Sequence, residues 1–503
     1  MPNYLALVEV DQRQNFILRV DKLREILGAS RLIDQTRNQE ANALVKLIWP
    51  VSGVLWFTST DLTALYRTLQ EIRHKFHDDG LSATFVIGEY LEDTFTADLH
   101  VLELKMRSQK DTKSGEDGSP RCPLFAQCSI QGALPANHWW PHEYRPSRQS
   151  RKLISDESNV RLLNAGAYSR EVRKQFDQHR EYPRQLQDVD DLVLPESDSY
   201  TALIKADGDG LGRLLPKIDW ERMAAELGCA ASTEAAQRFA EALQTAVERA
   251  RDRAVREVIG QDRNKRTCFP ILPLVAAGDD LWILCRRDLA FPLVLALGRE
   301  FDQATQAEPV LALACRLFQD NQPLTLSFGL LFAKKGFPFD SQLELAEELE
   351  REAKKFRRTL PKPHPGCVDY HWLESSGRET IGAARTAGYS VKDDTYDFVL
   401  TTRPWTIDQT AGVLNAAREV ARIPRCKRHQ LDTVLRYGHQ LSDLAYTRWC
   451  HSLTGPEHRA LEAAVAALPA ELRPQTGPWF PDRDGKYRSA LPDLAELAEI
   501  IAS

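Results

Sequence analysis

Tyr200-Thr-Ala-Leu-Ile-Lys-Ala-Asp207-Gly-Asp209-Gly-Leu-Gly212 is the stretch that decides the fold, because an apolar run typical of a buried strand ends in two aspartates set among glycines. A second stretch places Gly278-Asp279-Asp280 between two apolar runs, residues 274–277 and 281–284. Charged side chains are rarely buried between strands unless they are paired or bind a metal ion. Paired acidic strand ends suit an enzyme that holds two Mg²⁺ ions over a triphosphate. The sequence therefore predicts phosphoryl-transfer chemistry.

The acids differ in their predicted roles. Asp207 and Asp279 are the strongest candidates for catalytic metal ligands, because a strand end and a neighbouring turn lie side by side in one sheet and can bridge ions about 3.5–4 Å apart. Asp280 and Asp209 complete the site or surround it. The alternative is a pair of ordinary turns, since Asp-Gly is a strong hairpin signal. Glycines that would let the backbone approach phosphate groups are Gly208, Gly210 and Gly278.

Bulk properties exclude several classes of protein. The chain has 503 residues, of which 43% are hydrophobic and 27% charged, and this is ordinary for two to four globular domains. No apolar run is long enough to span a membrane and no signal peptide is evident, so we expect a cytoplasmic protein. The nine cysteines are scattered, as reduced thiols are. A net charge of -6 argues against a surface that grips nucleic acid throughout, although a local basic channel is compatible with it.

Hydrophobic patterning divides the chain into α/β and helical parts. We predict strands over 4–10, 49–58 and 83–88 in a first α/β unit, and a second such unit around the two acidic stretches. The polar residues 107–120 predict a loop, and the chain from about residue 400 is predicted to be helical. The predicted domains are 1–105, 106–197, 198–398 and 399–503.

An internal repeat relates the two α/β units. Residues 51–57 parallel residues 276–282, and this alignment places Val54 and Leu55 where Asp279 and Asp280 stand. Duplication of one unit is the interpretation we favour, with the metal acids lost from the first copy. A chance match between two similar junctions is the alternative.

These features resemble the large palm-domain subunit of type III CRISPR effector complexes, a relative of GGDEF-type nucleotide cyclases. The likeness extends over most of the chain. It rests on the two acidic stretches and on Asn15–Ile17, Leu23–Ser30, Ser327–Gly329, Phe337–Phe339, Leu345–Lys355, Val368–His371 and Leu400–Thr406. The resemblance implies an α+β fold with two ferredoxin-like palm domains, a small cysteine-containing insert and a helical C-terminal domain.

The resemblance also implies a function and site residues. That family converts ATP, bound between two palms, into cyclic oligoadenylates with Mg²⁺ or Mn²⁺ in a two-metal site. Its metal acids fall on Asp207, Asp279 and Asp280, and its adenine-contacting serines fall on Ser30 and Ser327. Its phosphate-binding lysine falls on Lys354. Plainer interpretations are a helix cap or helix break for Ser30 and a solvated helix charge for Lys354.

The sequence departs from the family pattern in three places. Ala277 replaces a glycine, which keeps the turn plausible. We find no N-terminal HD nuclease domain, since His77-Asp78 is the only such dipeptide and lies at a predicted helix end, so DNA cleavage is not expected. The zinc-binding insert is degenerate, and buried or incidental thiols are the alternative to a zinc site there. Its candidate ligands are Cys122, Cys128, His138 and His142.

The function therefore has open alternatives at this point. A nucleotide cyclase for antiviral defence is favoured, with guide or target RNA and other CRISPR effector subunits as candidate partners. A scaffold subunit of a guide-RNA complex and a free-standing cyclase without guide RNA are the rivals, and a template-dependent polymerase has least support. One basic cluster predicts either contact with RNA or a subunit, or a solvated helix face. It comprises Arg418, Arg422, Arg425, Lys427 and Arg428.

Overall fold

The structure is a computed structural model of the chain. It describes residues 2–501 apart from 21, 40–42, 113–127, 131–133, 135, 140–152, 178–180, 185–188, 194–198, 263–267, 278, 375–379, 393–396, 438 and 483–484. Within these residues no helix is both long and apolar enough to cross a membrane.

The first palm is a four-stranded antiparallel sheet in the order β2-β3-β1-β4. Its strands are β1 (Asn3–Val10), β2 (Val45–Val51), β3 (Val54–Ser59) and β4 (Ala83–Tyr90). Its helices are α1 (Arg13–Leu18), α2 (Leu23–Gln35), α3 (Leu62–Asp78) and α4 (Phe95–Thr112). This β-α-β-β-α-β order is ferredoxin-like, as predicted. The single strand predicted over 49–58 is instead part of a hairpin, because Ser52 and Gly53 form a turn within it.

The second palm repeats this order in the strands β8-β9-β7-β10, which belong to a larger sheet. The repeated strands are β7 (Tyr200–Asp209), β8 (Ile271–Ala277), β9 (Asp280–Arg286) and β10 (Thr325–Lys334). Its helices are α6 (Leu211–Leu214), α7 (Trp220–Leu227), α8 (Ser232–Gln261), α9 (Ala290–Ala307), α10 (Pro309–Phe318) and α11 (Phe339–Thr359). Strand β7 is central and buried along most of its length, which explains its apolar sequence.

Strand pairing supports the duplication and corrects its alignment. Both hairpins carry an irregularity at the same place, at Ile48 in β2 and at Leu274 in β8. Val54 pairs with the last residue of β2 as Asp280 pairs with the last residue of β8. Gly53 and Val54 therefore stand where Asp279 and Asp280 stand, and the predicted alignment with Val54 and Leu55 is wrong by one residue. Matching the two glycines in sequence produced the error, whereas the turn geometry determines the register.

Each palm packs one of its helices against a strand of the other palm. Helix α2 of the first palm lies against β8 of the second, and the Ser30 hydroxyl donates a hydrogen bond to the Leu274 carbonyl. Helix α8 of the second palm packs on β2 of the first, where Trp49 stacks on Phe239 with ring centroids 6.1 Å apart. Each palm thus covers the second strand of the other, and the pair is related by an approximate two-fold arrangement.

The remaining elements connect and extend the palms. The connecting segment contains β5 (His138–Trp139), β6 (Leu153–Ile154) and α5 (Asp156–Phe176), and α5 packs on α2. Strand β11 (Cys367–Trp372) pairs parallel to β10, and β14 (Trp405–Thr406) pairs with β11.

The C-terminal region is mainly helical, as predicted. Its helices are α12 (Ile381–Tyr389), α13 (Ile407–Val420), α14 (Arg425–Val434), α15 (His439–His451), α16 (Gly455–Ala467) and α17 (Leu491–Ile501). A small sheet accompanies them, in the order β12-β13-β16-β15. Its strands are β12 (Ser390–Lys392), β13 (Asp397–Val399), β15 (Phe480–Pro481) and β16 (Tyr487–Arg488). The sheet joins residues on both sides of the predicted boundary at 398–399.

Candidate active site

The end of β7 places Asp207 and Asp209 on one face of the second palm. Side chains two residues apart in a strand point the same way, and β10 pairs beside them with Ser327 opposite Asp207 and Thr325 opposite Asp209. Gly210 then adopts a φ of 92°, which a residue with a side chain rarely adopts, and the chain turns into α6. The strand therefore stops directly after the second acid.

Asp279 lies across the backbone of β7. A β-carbon added at Gly208 would stand 2.5 Å from Asp279 Oδ2 and 2.7 Å from Asp279 Cβ. Only glycine allows this approach, so Gly208 serves to bring the hairpin acid onto the strand acids. Close approach of a phosphate group to Gly208 stays a prediction. The structure shows a second role, which is to let Asp279 approach the backbone of β7.

The setting of Asp279 disfavours its charge. Burial raises the pKa of Asp279 to about 7, and the neighbouring Asp207 carboxylate adds to the effect. Two carboxylates that share a site in this way repel one another when both are ionised. A cation is the natural partner for such a pair.

Asp280 is held by two buried side chains. The Lys205 ammonium forms an ion pair with Asp280 Oδ1, and the Trp282 indole N–H donates to the same oxygen at 2.9 Å. Burial alone would lower the pKa of Lys205, but Asp280 outweighs burial and raises it. Lys205 is therefore a permanent cation inside the site.

Lys354 supplies a second cation. It pairs with Asp207 Oδ2 and, at 2.7 Å, with Glu350 Oε1 one turn earlier on α11. Burial would lower the pKa of Lys354, but Asp207 and Glu350 outweigh it and raise the pKa. The lysine predicted to bind phosphate thus lies at the acids themselves, not on a solvated helix face.

Asp209 has a different setting from the one predicted for a metal ligand. It is only 3% exposed. Thr325 donates to it at 2.9 Å, Ser327 donates to it at 2.8 Å, and Arg357 Nε lies 3.2 Å away. Burial raises the pKa of Asp209, and Arg357 opposes that rise. Its oxygens accept hydrogen bonds from protein donors. These contacts connect β7, β10 and α11, and we call a carboxylate held in this way by hydroxyls of the neighbouring strand a clasp.

The donor set fits a divalent cation that is shared with a substrate. Carboxylate oxygens are the ligands that Mg²⁺ and Mn²⁺ prefer, and the mutual repulsion of Asp207 and Asp279 is relieved by such an ion. Among the described residues no three His, Cys, Asp or Glu side chains gather into a metal site by themselves. Mg²⁺ commonly uses one or two carboxylates together with substrate phosphates, so an incomplete protein site is what such chemistry requires.

The two serines predicted to contact adenine each donate a hydrogen bond within the protein. Ser327 is buried and its hydroxyl donates to Asp209. Ser30 lies at the junction of the palms, on α2, with its hydroxyl on Leu274. Gly278 lies outside the described residues. Adenine contact by the two serines stays a prediction, and each hydroxyl would have to exchange its present acceptor to make it.

The predicted zinc ligands are only partly described. Cys122 and His142 lie outside the described residues. The Cys128 thiol lies in a small apolar cluster 3.7 Å from Ser158 Oγ, and the His138 ring contacts Asp156. These two side chains have separate partners, so a zinc site stays a prediction.

Two further predictions concern the surface. His77 and Asp78 are exposed at the end of α3, as expected for a solvated turn.

The basic cluster is largely paired with acids on its own domain, which favours the predicted solvated helix face for the exposed Arg422 and Arg425, whereas Arg428 is buried. The acidic pairs are Arg422–Glu419, Arg425–Glu499, Lys427–Glu457 and Arg428–Glu499.

Sequence reasoning missed the residues that support the acids. Glu350 and Arg357 lie at helical spacing on the face of α11 that carries Lys354, and this periodicity was a usable signal. Lys205 was a usable signal as well, because a lysine within an otherwise apolar strand needs a buried acid as partner.

Comparison with known proteins agrees with this geometry. Residues 200–359 match the family described as Cas10/Cmr2, second palm domain. No curated protein sequence matches the chain significantly.

Three solved structures share the fold. The Csm1–Csm4 cassette in complex with pppApA has 14% identity and a TM-score of 0.56, over 100% of this chain and 69% of that one. The cassette in complex with cA4 has 13% identity and a TM-score of 0.56, over 100% and 70%. The Csm1–Csm4 subcomplex of the type III-A CRISPR-Csm interference complex has 14% identity and a TM-score of 0.55, over 100% and 69%. The predicted resemblance is confirmed: residues 200–359 match the second palm domain of Cas10/Cmr2, and the whole chain shares the fold of these Csm1 structures.

Proposed function

We propose that this protein is a metal-dependent nucleotidyltransferase that joins ATP molecules into a cyclic oligoadenylate, a second messenger in type III CRISPR-like antiviral defence. The observation that carries the proposal is the placement of Asp279 beside both Asp207 and Asp280 at one end of the second sheet, with the buried Lys205 and the partly buried Lys354 paired to these acids. The likeness to structures solved with pppApA and cA4 supports the same chemistry.

The reaction joins the 3′-hydroxyl of one nucleotide to the α-phosphorus of another and releases pyrophosphate. Mg²⁺ or Mn²⁺ at Asp207, Asp279 and Asp280 would supply the charge that stabilises the pentavalent phosphate and the attacking oxygen. Lys354, once its ammonium turns from Asp207 to the triphosphate, would offset the charge of the leaving group. If each palm binds one nucleotide, the packed interface of the palms would hold the two in a fixed relative position, which would lower the entropic part of the barrier.

Partners follow from the same likeness. We propose that a Csm4-like subunit assembles with the chain, as Csm4 does with Csm1 in the type III-A interference complex, and that guide and target RNA join that assembly. Synthesis would then depend on that assembly, and the isolated chain would be slow.

The test is synthesis from labelled ATP with Mg²⁺ or Mn²⁺, with products identified by mass spectrometry and a mixture of four nucleotides used to determine base preference. The variant pair Asp279→Asn with Asp280→Asn should abolish product. Glu352→Gln is the matched control, since Glu352 pairs with Lys355 on the exposed side of α11. Product that persists in the double variant would sink the proposal. Absence of product from the isolated chain and from the RNA-bound assembly would favour a scaffold instead.

A further inference from the structure

Lys205 is a buried charge in the central strand of the second palm, and the proposed chemistry does not by itself require it. It precedes Asp207 by two residues in β7 and is 6% exposed. Strand pairing sets it opposite Trp282, and the ammonium lies 5.4 Å from the centroid of that ring. A desolvated cation over an indole face is attracted to it, so the aromatic ring helps hold the lysine in place.

Lysine and tryptophan act on the same oxygen of Asp280. The ammonium and the indole N–H both donate to Oδ1, the latter at 2.9 Å. Among the described residues no hydrogen-bond donor reaches Oδ2, so this is the oxygen that remains for a ligand outside the protein. Since Trp282 is itself buried, the orientation of the carboxylate is determined by packed side chains and not by solvent.

The charge of Lys205 also bears on any cation that approaches Asp280. An ammonium at hydrogen-bond distance from the carboxylate repels a divalent ion at the same group, and burial makes the repulsion stronger than in water. A nucleoside triphosphate brings negative charge and phosphate oxygens that compensate for this repulsion. The ion is then favoured only together with the nucleotide.

We propose that Lys205 is a positioning residue that aims Asp280 Oδ2 at the metal and makes ion binding there dependent on bound triphosphate. The inference rests on the proposed function for the identity of the nucleotide. It extends that function by coupling metal and substrate binding through one residue of this chain.

The test measures Mn²⁺ binding by electron paramagnetic resonance, with and without a non-hydrolysable ATP analogue. Lys205→Met keeps the aliphatic stem over Trp282 and removes the charge, while Lys205→Arg keeps the charge. Lys355→Met, on the exposed side of α11, is the matched control. We expect Lys205→Met to bind Mn²⁺ about 10-fold more tightly without nucleotide, to lose most of the enhancement that the analogue produces, and to synthesise product more slowly. Lys205→Arg should restore most of the coupling.

A second variant separates charge from orientation. Trp282→Phe keeps the ring and removes the N–H that reaches Asp280, so it should slow synthesis and leave nucleotide-free Mn²⁺ affinity near that of the wild type. If Lys205→Met does not fold, Lys205→Gln serves for the same measurement. Mn²⁺ affinity that is unchanged or weaker in a folded charge-removing variant would overturn the inference. A wild-type protein that shows the coupling but never forms product would instead refute the proposed function and leave the inference standing.

Discussion

The two palms share a plan, and they differ where chemistry is concerned. Each has a carboxylate at or directly after the end of its first strand, and two hydroxyls at the start of the neighbouring strand donate hydrogen bonds to it. In the first palm Ser82 and Thr84 donate to Asp11 at 2.9 and 2.6 Å. In the second palm Thr325 and Ser327 donate to Asp209. The clasp therefore belongs to the architecture of both copies, whether or not the palm carries metal acids.

The lysine near the strand end is also duplicated. Glu9, paired opposite Val54, contacts Lys110 at 2.7 Å, and Asp207 contacts Lys354. Each lysine is the sixteenth residue of a helix that begins with a buried phenylalanine. What the first palm lacks is the hairpin pair, because Gly53 and Val54 stand in for Asp279 and Asp280. By the same register Leu7 and Val10 stand where Lys205 and Gly208 stand, so the palms differ at the hairpin acids and at the residues that position them.

Changing the two hairpins should produce the largest difference. Asp279→Asn with Asp280→Asn should lower the rate of oligoadenylate synthesis at least about 10³-fold, because the charge that binds the metal is lost. Val54→Ala in the first hairpin should leave the rate within a few-fold. Initial rates from labelled ATP measure both. A first-palm effect as large as the second-palm effect would break the comparison.

A buried acid in the first palm should make the stability of the protein depend on pH. Burial raises the pKa of Glu25 in the first palm to about 8 from an ordinary 4.5. The folded state therefore holds a proton that the unfolded state has lost, and stability should fall as the pH rises from about 4.5 to 8, by roughly 5 kcal/mol in all.

Glu25→Gln should remove this loss, so that the variant matches the wild type near pH 5 and is more stable at pH 9. Thermal unfolding across this range is the measurement. The same measurement on Asp279→Asn tests the buried acid of the second palm, where burial raises the pKa of Asp279 to about 7. Parallel stability curves for the wild type and Glu25→Gln would contradict the assignment.

The duplicated lysines should behave differently in catalysis. Lys354→Gln should slow synthesis about 10- to 100-fold, equal to roughly 1.4–2.7 kcal/mol, since the loss of a charge-assisted contact to phosphate has that size. Lys110→Gln should change the rate less than two-fold, because its partner Glu9 has no hairpin acids beside it. Steady-state kinetics with varied ATP test this, and equal losses would show that both palms bind reacting phosphates.

The clasps should give the smallest and most similar effects. Ser327→Ala and Thr84→Val each remove a hydroxyl donor from a carboxylate, which should cost about 1 kcal/mol of stability in either palm. Only Ser327→Ala should also slow synthesis, since Asp209 ends the strand that carries Asp207. Urea unfolding and rate measurements on the same samples separate the two effects. If Thr84→Val slowed synthesis as strongly as Ser327→Ala, the expected difference between the two palms would be contradicted.

Much of this fold was predictable because its signals are local. Apolar runs bounded by glycine and aspartate indicated the strands of both palms, and helical spacing indicated the C-terminal region. The small sheet around β13 was not predictable, because its strands are two or three residues long and lie far apart in the chain. The register of the repeat was missed for a related reason, since sequence similarity matches residue types and a hairpin turn matches geometry.

The sequence by itself determined which residues are candidates for the chemistry: acids at strand ends, glycines beside them, and one copy of the hairpin without its charges. Those features depend only on residue type and spacing. The tertiary structure decided how the acids are used. It turned Asp209 into a buried clasp, laid Asp279 over Gly208, and brought Lys205 and Lys354 to the carboxylates. The pairings of Asp207 with Lys354 and of Asp209 with Arg357 join residues 147 and 148 positions apart, and their desolvation and charge arise only when the sheet and α11 pack together.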